Sequence, residues 1–122
     1  MVHRGLSPDS QRYYESAFPT IASRKAVLQF PREVPIDGKP ADNAATIQAF
    51  GDWLTRTQLP KILFHGNPGT LIGEEKVAWC KENLSNLQIV DIGEGLHFVQ
   101  EDNPDLIGDK LSKWYADLKT YR

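Results

Sequence analysis

Residues 61–92, KILFHGNPGTLIGEEKVAWCKENLSNLQIVDI, decide the fold. The stretch begins and ends on continuous apolar runs of strand length, KILFH at 61–65 and LQIVDI at 87–92. Between them, residues 74–84 carry Val77, Trp79, Cys80 and Leu84 among good helix formers and read as a helix. Strand, helix and strand in this order form a βαβ crossover. The two strands are therefore parallel, and the loops that follow them lie at the strands' carboxyl ends, where α/β proteins place their functional groups.

Working outward, Ile47, Phe50, Trp53 and Leu54 recur on one face of an amphipathic helix over about 42–58, which Pro60 ends. On the other side, Asn103-Pro104 opens a helix whose Ile107, Leu111, Trp114 and Leu118 form a second stripe. Near the amino end, Ser7 as N-cap and Pro8 at the first helical position predict a short helix over 7–17. Residues 18–40 hold Pro19, Pro31, Pro35 and Pro40 with Gly38, a density that excludes a long helix or a central strand. This segment is expected to be irregular, yet its Phe18, Ile21, Val27, Leu28, Phe30, Val34 and Ile36 are too many for a free linker.

Two parallel strands do not stand alone, because parallel sheets are covered on both faces and a two-stranded piece is marginal. The pattern is therefore the end of a larger α/β sheet. The chain is 122 residues long with 40% hydrophobic and 25% charged residues, a globular composition that leaves room for one domain at most. Its 14 Lys and Arg against 16 Asp and Glu give a net charge of -2, with no basic patch for nucleic acid or an anionic membrane. Cys80 is alone, so no disulfide framework exists and the residue reads as a small buried side chain. No apolar run reaches membrane-span length and MVHRGLSPDS has no signal-like apolar core, so the expected compartment is the cytoplasm.

Chemistry concentrates in GEGLHFVQEDNPDLIG, residues 93–108. His97 falls just after the second strand and just before an Asn-started helix, and an imidazole there suits a general base near neutral pH. The segment GLHFVQEDNPDLIG resembles the catalytic-histidine region of the haloalkane dehalogenases, a family of the α/β-hydrolase fold. FPREVPIDGKPAD (30–42), PKILFHGNPGTLIG (60–73) and VDIGEG (90–95) are similar to the same family in the same order.

The resemblance implies an α/β fold that is the carboxyl-terminal part of an α/β-hydrolase: residues 1–40 as the end of the helical cap with its return segment, and 41–122 as the last two parallel strands with their helices. It implies hydrolysis of a carbon–halogen bond through an alkyl-enzyme ester, with His97 as the base and without metal or organic cofactor. The nucleophilic Asp and the halide-binding residues would lie upstream, and no G-x-[DS]-x-G elbow occurs in the chain. One subfamily orients its His with an acid at the position of Gly69, so this chain is similar to the other, whose acid is also upstream. Glu74 and Glu75 are accounted for by the helix dipole. HGNP at 65–68 also occurs in the family's oxyanion loop, but the flanking residues fit the penultimate strand, which leaves His65 structural.

By the same resemblance, Phe30, Pro31, Val34, Thr70, Leu71 and Phe98 line a pocket for a small apolar halogenated substrate, where burial of apolar surface supplies the affinity. Gln100, Glu101 and Asp102 are expected to fix the turn, and Asn103 to cap the helix. Alone the chain is expected to be inactive. The missing amino-terminal portion, or another chain pairing with the strand edge, is the expected partner. A truncated, non-catalytic assembly fragment is the alternative, as are a related luciferase or epoxide hydrolase.

Overall fold

The computed structural model describes residues 2–120. Two compact units emerge, one of Leu6–Thr55 and the other of Met1–Gly5 with Arg56–Arg122. In the first, helix α1 spans Pro8–Ser16. As expected, Ser7 caps it, its hydroxyl accepting the Ser10 N–H at 3.1 Å with Pro8 at the first position. The segment expected to be irregular contains an eight-residue helix, α2, over Lys25–Arg32. The prolines do not forbid it: Pro19 lies well before its start, and Pro31 falls one residue before its end, where the N–H it lacks removes a single hydrogen bond of the last turn. A two-residue turn follows, in which Asp37 and Gly38 both take positive φ (51° and 76°) while Ile36 and Lys39 exchange backbone hydrogen bonds of 2.9 and 3.0 Å. Helix α3, Ala41–Arg56, is the predicted amphipathic helix. Its Asn43 amide donates to the Glu33 carbonyl and carboxylate at 2.9 and 3.0 Å, tying its first turn to the end of α2.

The second unit is built on the predicted crossover. Strand β1 (Lys61–Pro68), helix α4 (Glu74–Asn83) and strand β2 (Leu87–Gly95) follow in order, and β1 pairs with β2 in parallel from Lys61↔Leu87 to Pro68↔Gly95. Both strands run about three residues past their apolar cores, into the glycine-containing segments. The amino ends are pinned by the Lys61 ammonium, which donates to the carbonyls of Thr57, Leu59 and Ser85 at 2.9–3.0 Å. Towards the other end the register slips between His65 and Asn67. There the strands come so close that a Cβ on Gly66 would sit 2.8 Å from the Gly95 Cα.

After β2, a one-turn helix α5 (Val99–Asp102), which the sequence pattern did not announce, leads into α6 (Pro104–Thr120). Val90 and Ile92, on one face of β2, are the buried hydrophobic residues among those described. The helical stripes stay open: Ile47 is 57% exposed, Phe50 58% and Leu111 43%. Cys80 is half-buried rather than buried, beside a 50% exposed Trp79, so this part of α4 is only partly covered. Full burial of such a side chain contributes about 1.5–3 kcal/mol, of which each of these forgoes a part.

The Gly66–Gly95 contact is a backbone-to-backbone approach, so no side chain can yield to an added methyl. Gly66→Ala is expected to lower stability by about 1–3 kcal/mol through strand separation, read as a fall in the urea midpoint at unchanged m-value.

Candidate active site

The carboxyl ends of β1 and β2 and the loops beyond them enclose a cavity of about 140 Å³ lined by Phe64, His65, Gly66, Gly69, Leu71, Ile72, Leu96, His97 and Val99. His97 is half-buried, and its imidazole meets the Phe98 ring edge-on with centroids 4.7 Å apart. Among the described residues, no side chain hydrogen-bonds that imidazole.

The loop after β1 is shaped by Gly69. Its φ of +64° is left-handed, its N–H donates to the Gly95 carbonyl at 3.1 Å, and a Cβ there would lie 2.7 Å from the Ile72 oxygen and 2.9 Å from that of Gly66. The position is closed to an acid on conformational and steric grounds alike. The Leu71 carbonyl accepts from the Lys76 ammonium at 2.7 Å, which fastens the loop to the first turn of α4. Glu74 and Glu75 stand in that same turn, as the dipole argument requires.

The turn carrying His97 is held by hydrogen bonds to α5 and its neighbour. The Asp102 carboxylate is buried (7% exposed) and accepts the Leu96 N–H and the Arg4 N–H, each at 3.1 Å. Burial alone would raise its pKa, but the backbone donors of Arg4, Leu96 and His3, with the nearby His3 imidazole, outweigh that and leave it below its ordinary value of 3.8. Asn103 stands where a cap was expected, its carbonyl accepting the first bond of α6 from Ile107. Its side-chain amide reaches instead to the Ile92 and Glu94 carbonyls at 2.8 and 3.2 Å. At the edge of the turn, Gly93 takes a φ of +76° and donates to the Asp91 carboxylate at 2.7 Å.

Of the residues singled out in the sequence, His97 and Leu71 share this cavity. Thr70 precedes Leu71 in the same loop, and Phe98, 44% exposed, stands at the N-cap of α5. The other three belong to the Leu6–Thr55 unit. Phe30 and Val34 line a cavity of about 280 Å³ with Glu33, Asn43, Thr46 and Ile47, and Pro31 lines another of about 570 Å³ between α1 and α2. Sequence reasoning missed His65 as a second imidazole in the His97 cavity and Arg4 as a partner of Asp102. The first was visible as the last residue of an apolar strand run; the second, 98 residues from its partner, had no local signal.

No model of a known protein family matches the chain. Individual proteins do match. The chain is 40% identical to a haloalkane dehalogenase of Mesorhizobium japonicum over 96% of its own length and 38% of the relative's. It is 39% identical to one of Agrobacterium fabrum over 93% of its length and 37% of the relative's. The crystal structure of the haloalkane dehalogenase DbeA from Bradyrhizobium elkani superposes on 99% of the chain with a TM-score of 0.95 at 34% identity, using 42% of that chain. Over nearly its whole length, the chain is similar to haloalkane dehalogenases. It spans about two fifths of the length of these relatives, and its architecture is the carboxyl-terminal part of the α/β-hydrolase fold that the sequence suggested. No helix among the described residues is long and apolar enough to cross a membrane.

Because the folded-state pKa of Asp102 lies below its ordinary value, its bonds contribute stability that is fully present above about pH 4–5 and is lost as pH falls through the folded pKa. Thermal melts are therefore expected to shift downward below about pH 4, and Asp102→Asn should remove part of that acid-side slope.

Proposed function

We propose that this chain supplies the histidine base and part of the apolar pocket for hydrolytic dehalogenation of haloalkanes to alcohol and halide. The observation that carries the reading is the match of nearly every residue, with the same fold, to haloalkane dehalogenases. His97, at the carboxyl end of a parallel strand and facing a small, mostly apolar cavity, supports it. In this reading, residues 1–40 are the end of a helical cap and 41–122 belong to the hydrolase core. Phe30, Pro31, Val34, Thr70, Leu71 and Phe98 bury the substrate's apolar surface.

The chemistry balances in two steps. A carboxylate oxygen of an Asp outside this chain attacks the halogen-bearing carbon, and the carbon–halogen bond breaks with its electron pair leaving on the halide. His97 then takes a proton from water as the oxygen adds to the ester carbonyl, which releases the alcohol and restores the carboxylate. The net products are alcohol, halide and a proton. The acid that orients His97 comes, like the nucleophile, from the complementary portion of the fold. That portion, or another chain pairing with the β1 edge, is the partner. The lone Cys80 supports a reducing compartment, the cytoplasm.

Halide release from a short bromoalkane tests the proposal. The purified 122-residue chain should show none. Adding the amino-terminal portion of the Mesorhizobium relative should restore turnover, which His97→Ala should cut by about 100-fold or more. Turnover by the chain alone, or restored turnover indifferent to His97→Ala, would sink the assignment.

The many exposed large hydrophobics, among them Phe30 (77%), Phe50 and Trp79, favour a second reading in which the chain acts by association. Light scattering should then find the isolated chain self-associated at micromolar concentration. A compact, non-aggregating monomer contradicts it.

A further inference from the structure

Two side chains adjacent in sequence hold the backbone on either side of the His97 turn. The Asn103 amide holds the Ile92 and Glu94 carbonyls ahead of it, and Asp102 Oδ2 holds the N–H of Leu96, the residue immediately before His97. The other Asp102 oxygen, Oδ1, is committed elsewhere: it accepts the N–H of Arg4 in the amino-terminal strap, residues 2–5. An exposed contact of 3.7 Å between His3 Nδ1 and Glu94 Oε2 lies along the same strap.

A buried carboxylate tolerates neither oxygen being left without a donor, since removing one partner of a charged hydrogen bond costs more than the bond contributes. The two bonds therefore support each other. If the strap leaves, Asp102 gains reason to turn towards solvent, and the Leu96 N–H loses its acceptor. If the turn shifts, the strap loses its anchor. The held group on the strap is a main-chain N–H, so the coupling is indifferent to which side chain stands at position 4.

We propose that Asp102 is a positioning residue for His97, and that its two carboxylate oxygens couple docking of the strap 2–5 to the placement of the imidazole. Its catalytic meaning rests on the reading of His97 as the base; its geometry does not.

The test is NMR on the full 122-residue chain with variants Asp102→Asn and Arg4→Ala. In Asp102→Asn, the amides of Arg4 and Leu96 should both exchange about tenfold faster or more, as loss of a charged hydrogen bond predicts. The His97 ring resonances should move with them, while the ladder amides around Leu63 and Ile89 keep their rates. Arg4→Ala should change none of these signals, because the donor is retained. Faster exchange at Leu96 alone, or at both amides with the His97 resonances unmoved, overturns the coupling.

Should Asp102→Asn fail to fold, the unmodified chain decides. On acidification, the amide shifts of Arg4, Leu96 and His97 should share one midpoint below the ordinary carboxylate range, whereas an Arg4 midpoint separate from that of Leu96 and His97 overturns the proposal. No arm of the test uses turnover, so its outcome stands whether or not the dehalogenase reading survives.

Discussion

Everything at the candidate site depends on how closely β1 and β2 approach at their carboxyl ends. Parallel strands sit about 4.8 Å apart along their hydrogen bonds, and a side chain between them is normally accommodated by the pleat. At Gly66 and Gly95 there is no room for one, since a Cβ on the first would meet the Cα of the second. The absence of two side chains allows the ladder to continue through the irregularity after His65 and to reach Pro68↔Gly95. That extension carries both strands beyond their apolar cores, so the loops they launch, one with Leu71 and one with His97, leave from the same place and share a cavity.

From that point the backbone is fixed by polar groups rather than by packing. Gly69 binds the β1 loop back to Gly95, Lys76 holds its far end, and Asp102 and Asn103 hold the His97 turn from the other side. Such an arrangement suits a site whose own walls are only half covered. Hydrogen bonds to buried backbone groups are local and directional and survive where apolar burial is incomplete. The contrast with the helices is plain: α3 has an apolar stripe of which no residue is fully buried, whereas the turn is held by directional hydrogen bonds.

The βαβ unit and the helices on either side were legible in the sequence because each rests on a local signal. Apolar runs, a stripe at helical period, and Ser7-Pro8 and Asn103-Pro104 at helix starts all act within a few residues of themselves. Helix α2 escaped because four prolines suggested irregularity, although only Pro31 lies inside the helix, one residue before its end. Helix α5 escaped because four residues carry no period. Asp102 was read as a residue that fixes the turn, and it does. Its second partner, Arg4, contributes only a main-chain N–H, which every residue except proline has, so no pattern in the sequence could single it out. The reverse holds for Gly69, where the missing acid was read from the letter alone and the backbone supplies the reason: a left-handed φ between two carbonyls.

The distribution of polar and apolar order also says what the proposed complementary portion of the fold would have to provide. Precision around His97 is already built into these residues, through hydrogen bonds that stay within one unit of the chain. What they lack is full cover: Ile47, Phe50, Trp79 and Leu111 each leave about half of a large apolar side chain exposed. Burial of that surface is non-directional and scales with area. It can therefore supply the free energy of assembly without dictating the placement of the imidazole. On the proposed reading, the stability of the assembled fold and the geometry of the His97 turn come from different interactions. A change on an open helix stripe would weaken association and leave the turn as it is, whereas a change at Asp102 would do the opposite.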